Sequence, residues 1–196
     1  TWLAVFDNDG DVVASISKRP NLMPILDILE EQGDEIFAQA DSIVIEVDVD
    51  KAIMKKTLAL AKKYGKQVYG VVANMSIGLE RRDFLKELAA FVCNSQEAGL
   101  LFCTDFSNME PEELAEEIAR KIIQARIPRL IVTMGCRGAV YADMDGNKGW
   151  CPARAVEVKD TTGAGDSFCA GLAVGLTYGK TLREACEIGT HLAASV

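Results

Sequence analysis

The segment Val156-Glu157-Val158-Lys159-Asp160-Thr161-Thr162-Gly163-Ala164-Gly165-Asp166-Ser167-Phe168 decides the reading of this chain. It reads as a strand running into a glycine-rich turn that opens a helix, with a carboxylate in the helix's first turn. A helix start offers unpaired backbone N–H groups and the positive end of the macrodipole, and Gly163 and Gly165 let that backbone approach an anion closely. Asp166 is then the strong base of the pocket. Such a place can bind a phosphate and deprotonate what lies beside it.

Upstream of this segment, helices and strands alternate. Trp2–Phe6 and Val12–Ser17 read as strands around Asp7-Asn8-Asp9-Gly10, whose Asp-Gly pair favours a tight hairpin turn. An EF-hand reading of that turn fails, because the first loop position would be Val5 and not an aspartate. A helix is expected within residues 22–39, then a strand over 42–47, a helix over 51–64 and a strand over 67–72. A helix over 81–89, a strand over 91–93, a helix over 110–124 and a strand over 130–133 continue the rhythm. Pro111 in a first turn, followed by Glu112 and Glu113, supplies a helix entry. A second hairpin joins strands at 139–143 and 148–151, and a last strand over 155–158 feeds the glycine turn. The alternation argues for a parallel sheet covered by helices. No linker, repeat or low-complexity stretch divides it, so one domain is expected.

Composition agrees with a globular chain of this kind. Of 196 residues, 49% are apolar and 26% charged, enough for a sizeable core. A net charge of −8 argues against a nucleic-acid or anionic-membrane surface. The six cysteines include no C-x-x-C pair, and there is only one histidine, His191, to complete a zinc site. They read as reduced, cytosolic and mostly buried. His191 reads as a helix residue satisfied locally.

Two stretches that mimic nucleotide-binding motifs resolve into simpler features. Gly163-x-Gly165-x-x-Phe168 lacks the third glycine of a dinucleotide fingerprint and would set Asp166 against a pyrophosphate. Gly175-Leu176-Thr177-Tyr178-Gly179-Lys180-Thr181 is one residue short of a Walker A loop and follows a helix. Gly179 reads instead as a helix C-cap, and Thr181 with Glu184 as the capping box of the next helix. By the same test Asn94-x-x-Glu97, taken on its own, is a structural capping box. Thr133, Gly135 and Gly138 read as a strand ending in a tight turn.

Three of these elements together resemble one family. Asp160 to Phe168 is similar to the C-terminal signature of the PfkB, or ribokinase-like, carbohydrate and nucleoside kinases. Asn94-Ser95-Gln96-Glu97 resembles the family's Asn-x-x-Glu motif, and Ile131-Val132-Thr133-Met134-Gly135-Cys136-Arg137-Gly138 its T-x-G-x-x-G element. They occur in family order, so the resemblance covers essentially the whole chain. It implies a ribokinase-like three-layer α/β/α fold with a mainly parallel central sheet, plus a β-hairpin from a lid. Residues 1–18 would be lid strands and 19–196 a partial α/β kinase core with the ATP-side site.

The activity implied is ATP-dependent transfer of a γ-phosphoryl group to a hydroxymethyl group of a sugar or nucleoside. Asp166 would accept the hydroxyl proton, and Gly163, Ala164 and Gly165 would donate backbone N–H groups to the transferred phosphoryl. Asn94, Glu97, Thr133, Gly135, Gly138 and Thr190 would bind the nucleotide. Glu97 would hold Mg²⁺ through water, and Asp160 and Thr162 a monovalent cation such as K⁺. ATP and a small sugar or nucleoside would be the partners, with a homodimer formed through the lid and neither nucleic acid nor membrane involved.

Phe6-Asp7-Asn8-Asp9-Gly10-Asp11, Val132-Thr133-Met134-Gly135 and Asp145-Gly146-Asn147-Lys148-Gly149-Trp150 resemble the pseudouridine-kinase branch. A ribokinase- or fructokinase-type sugar kinase, or a nucleotide-binding chain without catalysis, are the alternatives. Ala73 departs from the pattern, standing where many relatives carry an aspartate at a strand end. The family's upstream Gly-Gly signature and substrate-gripping aspartate have no counterpart here. The chain therefore reads as truncated at both ends, and residues 1–196 alone are expected to show little or no kinase activity.

Overall fold

The computed structural model describes residues 2–6, 12–18, 20–156 and 161–196. Strands β1 (Trp2–Phe6) and β2 (Val12–Ser17) pair antiparallel as a separate two-stranded sheet. Leu3 lies opposite Ile16 and both are exposed, as is Val5, so the ribbon carries an open apolar face. The turn read at residues 7–10 lies outside the described residues.

The remaining elements run in the order α1 (Met23–Glu31), α2 (Gly33–Gln39), β3 (Ile43–Glu46), α3 (Lys51–Tyr64), β4 (Val68–Val71), α4 (Met75–Gly78) and β5 (Ala90–Asn94). They continue with α5 (Ser95–Phe102), α6 (Pro111–Ala125), β6 (Arg129–Thr133), β7 (Ala139–Asp143), β8 (Lys148–Cys151), α7 (Ala164–Thr177) and α8 (Leu182–Ala193). Strands β3 to β8 form one sheet in sequence order. The first four are parallel, and β7 and β8 are added antiparallel.

Each face of the sheet buries its own apolar set, as period-two side chains require. On one face Phe91, Leu130, Val132 and Val140 pack with Leu114, Ile118 and Ile122 of α6 and with Met54 and Leu58 of α3. On the other, Tyr69, Val92, Ile131 and Tyr141 pack with Phe168 and Leu172 of α7 and Cys186 of α8. The result is the three-layer arrangement, each such side chain contributing about 1.5–3 kcal/mol on burial.

Helices α7 and α8 approach closely because glycines line their contact. A Cβ on Gly171 would lie 2.9 Å from the Cα of Gly189, and one on Gly189 would lie 2.8 Å from the Phe168 carbonyl oxygen. A Cβ on Gly175 would meet the Cα of Ala185 at 2.9 Å. At its other end α7 is fastened beside the start of β3, where the Tyr178 hydroxyl donates to Asp41 Oδ2 and Thr177 Oγ1 donates to Ser42 Oγ. A helix of 14 residues rises roughly 20 Å, which carries the N-terminus of α7 to the carboxyl edge of the parallel strands.

Several local readings change. The helix expected within 22–39 is two helices meeting at Gln32, where the Gly33 backbone comes so near α3 that a Cβ would sit 2.5 Å from Leu60 Cδ1. The helix expected over 81–89 is a 3-10 run, Leu79–Glu87, preceded by the short α4. Leu79, Phe84 and Leu85 of the run turn toward the core, with buried Leu88 just past its end in extended backbone. No strand forms at Ala155 or Val156, and 157–158 lie outside the described residues. Of the six cysteines, Cys103 and Cys136 are exposed and the other four buried.

The Gly175–Thr181 stretch is the helix ending expected of it. Gly179 has φ 79°, Lys180 N–H donates to Gly175 O at 3.0 Å and Gly179 N–H to Leu176 O at 3.2 Å, a Schellman ending of α7. Thr181 and Glu184 then form the capping box of α8.

Candidate active site

The glycine turn enters α7 through Gly163, which takes φ 83° at the N-cap, a conformation that favours glycine. Among the described residues, nothing beyond the local backbone lies within 4 Å of where a Cβ would be on Gly163 or Gly165, so these residues leave the backbone there open to a ligand. The Ala164 N–H closes the turn on Thr161 O at 3.2 Å, and Ser167 N–H donates to Gly163 O at 2.8 Å. The first-turn N–H groups of Gly165 and Asp166 have no partner among the described residues, as expected so early in a helix. The donors offered to an anion are therefore Gly165 and Asp166, whereas Ala164 is engaged by its own turn. The Asp166 side chain is exposed in that first turn. Behind it, burial first and the charge of Asp166 second push the Cys169 thiol up to about 12. Thr162 is exposed, and Asp160 lies outside the described residues.

A row of side chains crosses the carboxyl edge of the sheet. Asn94 pairs with Thr133, Thr133 with Ala139, and Ala139 with Cys151. The Thr133 hydroxyl donates to Cys93 O at 3.5 Å. Asn94 caps α5: its Oδ1 accepts from Glu97 N–H at 2.8 Å, and its own N–H donates to Glu97 Oε2 at 2.7 Å. Glu97 Oε1 has no hydrogen-bond partner among the described residues. Burial raises the Glu97 carboxyl above its ordinary range, opposed by the Asn94 N–H, and the charge of Asp48 raises it further.

Beyond Thr133 the chain turns through Gly135 and Gly138. Gly135 has φ 57° with open space around it, whereas Gly138 has φ 92° and no room for a Cβ, which would lie 2.1 Å from Cys151 O. Met134 N–H donates to Gly138 O at 2.7 Å, and the Trp150 indole N–H donates to Arg137 O at 2.7 Å, which fix the turn. Thr190 is buried. Its hydroxyl donates to Glu187 O at 2.9 Å and lies 3.6 Å from Cys151 Sγ, so it fastens α8 to β8.

The topology thus brings Asp166, Asn94, Glu97, Thr133 and the 135–138 turn to one edge of the sheet, where ligands of open α/β sheets bind. Glu97 and Asn94 are hard oxygen donors that suit Mg²⁺. Among the described residues no three or more His, Cys, Asp or Glu side chains form a metal cage, so water and phosphate oxygens must complete any such ion's shell. Asp48, 1% exposed at the end of β3, belongs to this edge and was not singled out by sequence reasoning. Its only sequence signal is a carboxylate one residue past the strand expected over 42–47.

Comparison with known proteins bears on this edge. The sequence model of the family described as "pfkB family carbohydrate kinase" matches residues 3–196. The chain is 32% identical to a guanosine-inosine kinase of Exiguobacterium acetylicum over 100% of its own length and 64% of that protein's. It is 26% identical to a pseudouridine kinase of Escherichia coli (strain K12) over 93% of its length and 58% of that protein's. The chain thus spans about three fifths of these curated relatives. The structure of Arabidopsis thaliana ribokinase complexed with ribose and ATP superposes with a TM-score of 0.71, covering 84% of this chain and 52% of that one at 22% identity. That likeness carries the fold. No helix among the described residues is long and apolar enough to cross a membrane.

Proposed function

The chain belongs to the pfkB family of carbohydrate kinases, and from that premise we propose that the protein moves the γ-phosphoryl group of ATP to a hydroxymethyl group of a nucleoside or sugar. The observation that carries this reading is Asp166: an exposed carboxylate in the first turn of α7, beside two N–H groups that have no partner among the described residues.

In this reading Asp166 takes the proton of the acceptor hydroxyl as its oxygen attacks. Gly163 and Gly165 bring the backbone close to the phosphate, Ala164 locks the turn through Thr161, and the N–H groups of Gly165 and Asp166 meet the developing negative charge. Thr133, Gly135 and Gly138 shape the nucleotide side, with Thr190 holding α8 against it. Glu97, capped by Asn94, anchors the water shell of a divalent cation; Mg²⁺ bound there with ATP would neutralise charge on the phosphate oxygens. Positioning and electrostatics dominate this chemistry, so Asp166 needs no special basicity.

The similarity to guanosine-inosine kinase and pseudouridine kinase favours a nucleoside acceptor over a free pentose or hexose. The same proposal includes a lid at residues 1–18, whose open apolar face suits a homodimer contact, and a cytoplasmic location. A K⁺ site near Asp160 and Thr162 rests on the family resemblance alone.

The test is a panel assay of the full-length protein with Mg-ATP and guanosine, inosine, pseudouridine, ribose or fructose. Wild type is expected to phosphorylate a nucleoside best. Asp166→Asn keeps the shape but cannot take the proton, so turnover should fall ~10²–10⁴-fold while Mg-ATP still binds. Near-normal turnover in that variant would remove Asp166 from the role of base.

A further inference from the structure

At the edge of the sheet opposite Asp166 lies a cavity of about 610 Å³. Arg129, which opens β6, lines it, whereas Thr133 closes that strand on the side of the candidate active site. Leu176 in the last turn of α7 and Leu182 in the first turn of α8 add a wall, so the length of α7, roughly 20 Å, separates the cavity from Asp166. Four cations line it, Arg129, Lys148, Lys180 and Arg183, in a chain whose net charge is −8. Such a gathering against the overall charge attracts an anion.

The cavity presents donors that the protein itself leaves unused. Lys180 Nζ has no hydrogen-bond or ion-pair partner among the described residues. Arg183 commits Nε to Glu187 Oε1 at 3.1 Å, and Arg129 commits Nη1 to Ala89 O at 3.1 Å, which leaves each guanidinium with further N–H groups. At the start of α8 the Thr181–Glu184 box leaves the Leu182 and Arg183 N–H groups without a partner among the described residues.

Tyr141 is the independent observation. It lines the cavity at 7% exposure, and its hydroxyl has no hydrogen-bond partner among the described residues. A buried hydroxyl of this kind calls for an acceptor. Glycine at its cross-strand partner makes room for it, since a Cβ on Gly149 would lie 2.6 Å from the Tyr141 oxygen. Burial above all raises the Tyr141 hydroxyl from its ordinary value, which keeps it protonated and a donor.

Two carboxylates also line the cavity and differ in what they offer. Asp143 is taken up by its own turn: Oδ1 accepts from the Asp145 and Asn147 N–H groups at 3.0 and 2.8 Å, and Oδ2 from Asn147 Nδ2 at 2.8 Å. The exposed Asp145 carboxylate has no hydrogen-bond partner among the described residues, so it suits hydroxyl donors. The cavity is of the size that takes a small organic molecule, larger than a bare phosphate fills. We propose that it is a second ligand site, for a small phosphomonoester bearing hydroxyl groups. The phosphate meets Lys180, Arg183, the Tyr141 hydroxyl and the start of α8, and the hydroxyls meet Asp145. A nucleoside monophosphate and a sugar phosphate share this chemistry. The inference rests on the cavity and not on the kinase reading.

The experiment is calorimetric titration of the full-length protein, without ATP, with guanosine monophosphate, ribose phosphate, inorganic phosphate, guanosine and ribose. At least one ester should bind saturably and more tightly than inorganic phosphate, and the tighter of the two esters identifies the source. Arg183→Gln should weaken ester binding ~10-fold or more and Tyr141→Phe ~2–10-fold, with guanosine and ribose unaffected. Lys180→Gln, at an exposed position between helices, serves the same comparison should Tyr141→Phe fail to fold. Asp166→Asn, and Lys55→Gln on α3 across the sheet, should bind the esters as wild type does.

Ester affinity unchanged in Arg183→Gln and Lys180→Gln would overturn the proposal, as would an equal loss in Lys55→Gln, which would reduce the effect to net charge. Inorganic phosphate binding as tightly as both esters would overturn the assigned ligand class. A loss in Asp166→Asn without one in Arg183→Gln would place the ester at the other edge of the sheet and overturn the second site.

Discussion

Asn94 and Glu97 hold each other by two reciprocal hydrogen bonds, of 2.7 and 2.8 Å, at the mouth of the first turn of α5. The same geometry satisfies helix donors and leaves one carboxylate oxygen uncommitted. A capping box and the proposed cation anchor thus share the same two side chains.

Glutamine is an accepted partner at that position of a capping box, so Glu97→Gln separates the two roles. The variant should fold with near wild-type stability yet need a higher Mg²⁺ concentration for half-maximal rate. An unchanged Mg²⁺ dependence would leave Glu97 as a cap alone. There is also a pH signature. Because burial raises the Glu97 carboxyl in the folded chain, its stability contribution is present at low pH and is lost as pH rises through the folded-state value. The melting temperature of wild type relative to Glu97→Gln should therefore fall as pH rises from the ordinary carboxylate range upward. A gap that widens in favour of wild type over that range would show that the Asn94 N–H outweighs burial.

The two glycines of the turn after β6 should respond differently to alanine. Gly138→Ala forces a Cβ to 2.1 Å from Cys151 O and 2.6 Å from Ala153 N at φ 92°, a loss of roughly 3 kcal/mol. Gly135→Ala meets open space and only the cost of its φ of 57°, about 1 kcal/mol. Urea midpoints of the two variants decide the matter, and equal losses would contradict this account.

Thiol labelling should sort the six cysteines into two classes. Cys103 and Cys136 are exposed, whereas Cys93, Cys151, Cys169 and Cys186 are buried, with burial raising all four thiols. A chromogenic disulfide reagent should modify two thiols quickly in the native protein and the rest only on unfolding. A third fast thiol would mean that a buried face opens readily.

Much of the architecture was legible because it rests on local chemistry. Pro111 with Glu112 and Glu113, the Thr181–Glu184 box and Gly179 mark helix ends whatever surrounds them, and both strands of the 139–151 hairpin fell where alternation put them. The misreadings came from tertiary contact. The break at Gln32 depends on Gly33 lying against Leu60, and the 3-10 run depends on which leucines turn inward, neither of which periodicity alone reveals. The site divides in the same way. Asp166, Asn94 and Glu97 sit in contiguous motifs, whereas Asp48 comes to the same edge in the turn that follows β3, bonded to the Ala73 N–H of the neighbouring loop. The Thr190 hydroxyl donates to Glu187 O and lies beside Cys151 Sγ, a relation no local pattern encodes.

The contact of α7 with α8 at Gly171, Gly175 and Gly189 has a genetic consequence. A single added methyl at any of the three pushes apart α7 and α8, of which α7 carries the Gly163–Asp166 turn, so such alleles are expected to score as loss of function beside Asp166 although none of these glycines lies in that turn. The two helices are inherited as a matched pair. A chimera that took α8 from a cousin without its own α7 would misplace Asp166 while every residue of the glycine signature stayed intact.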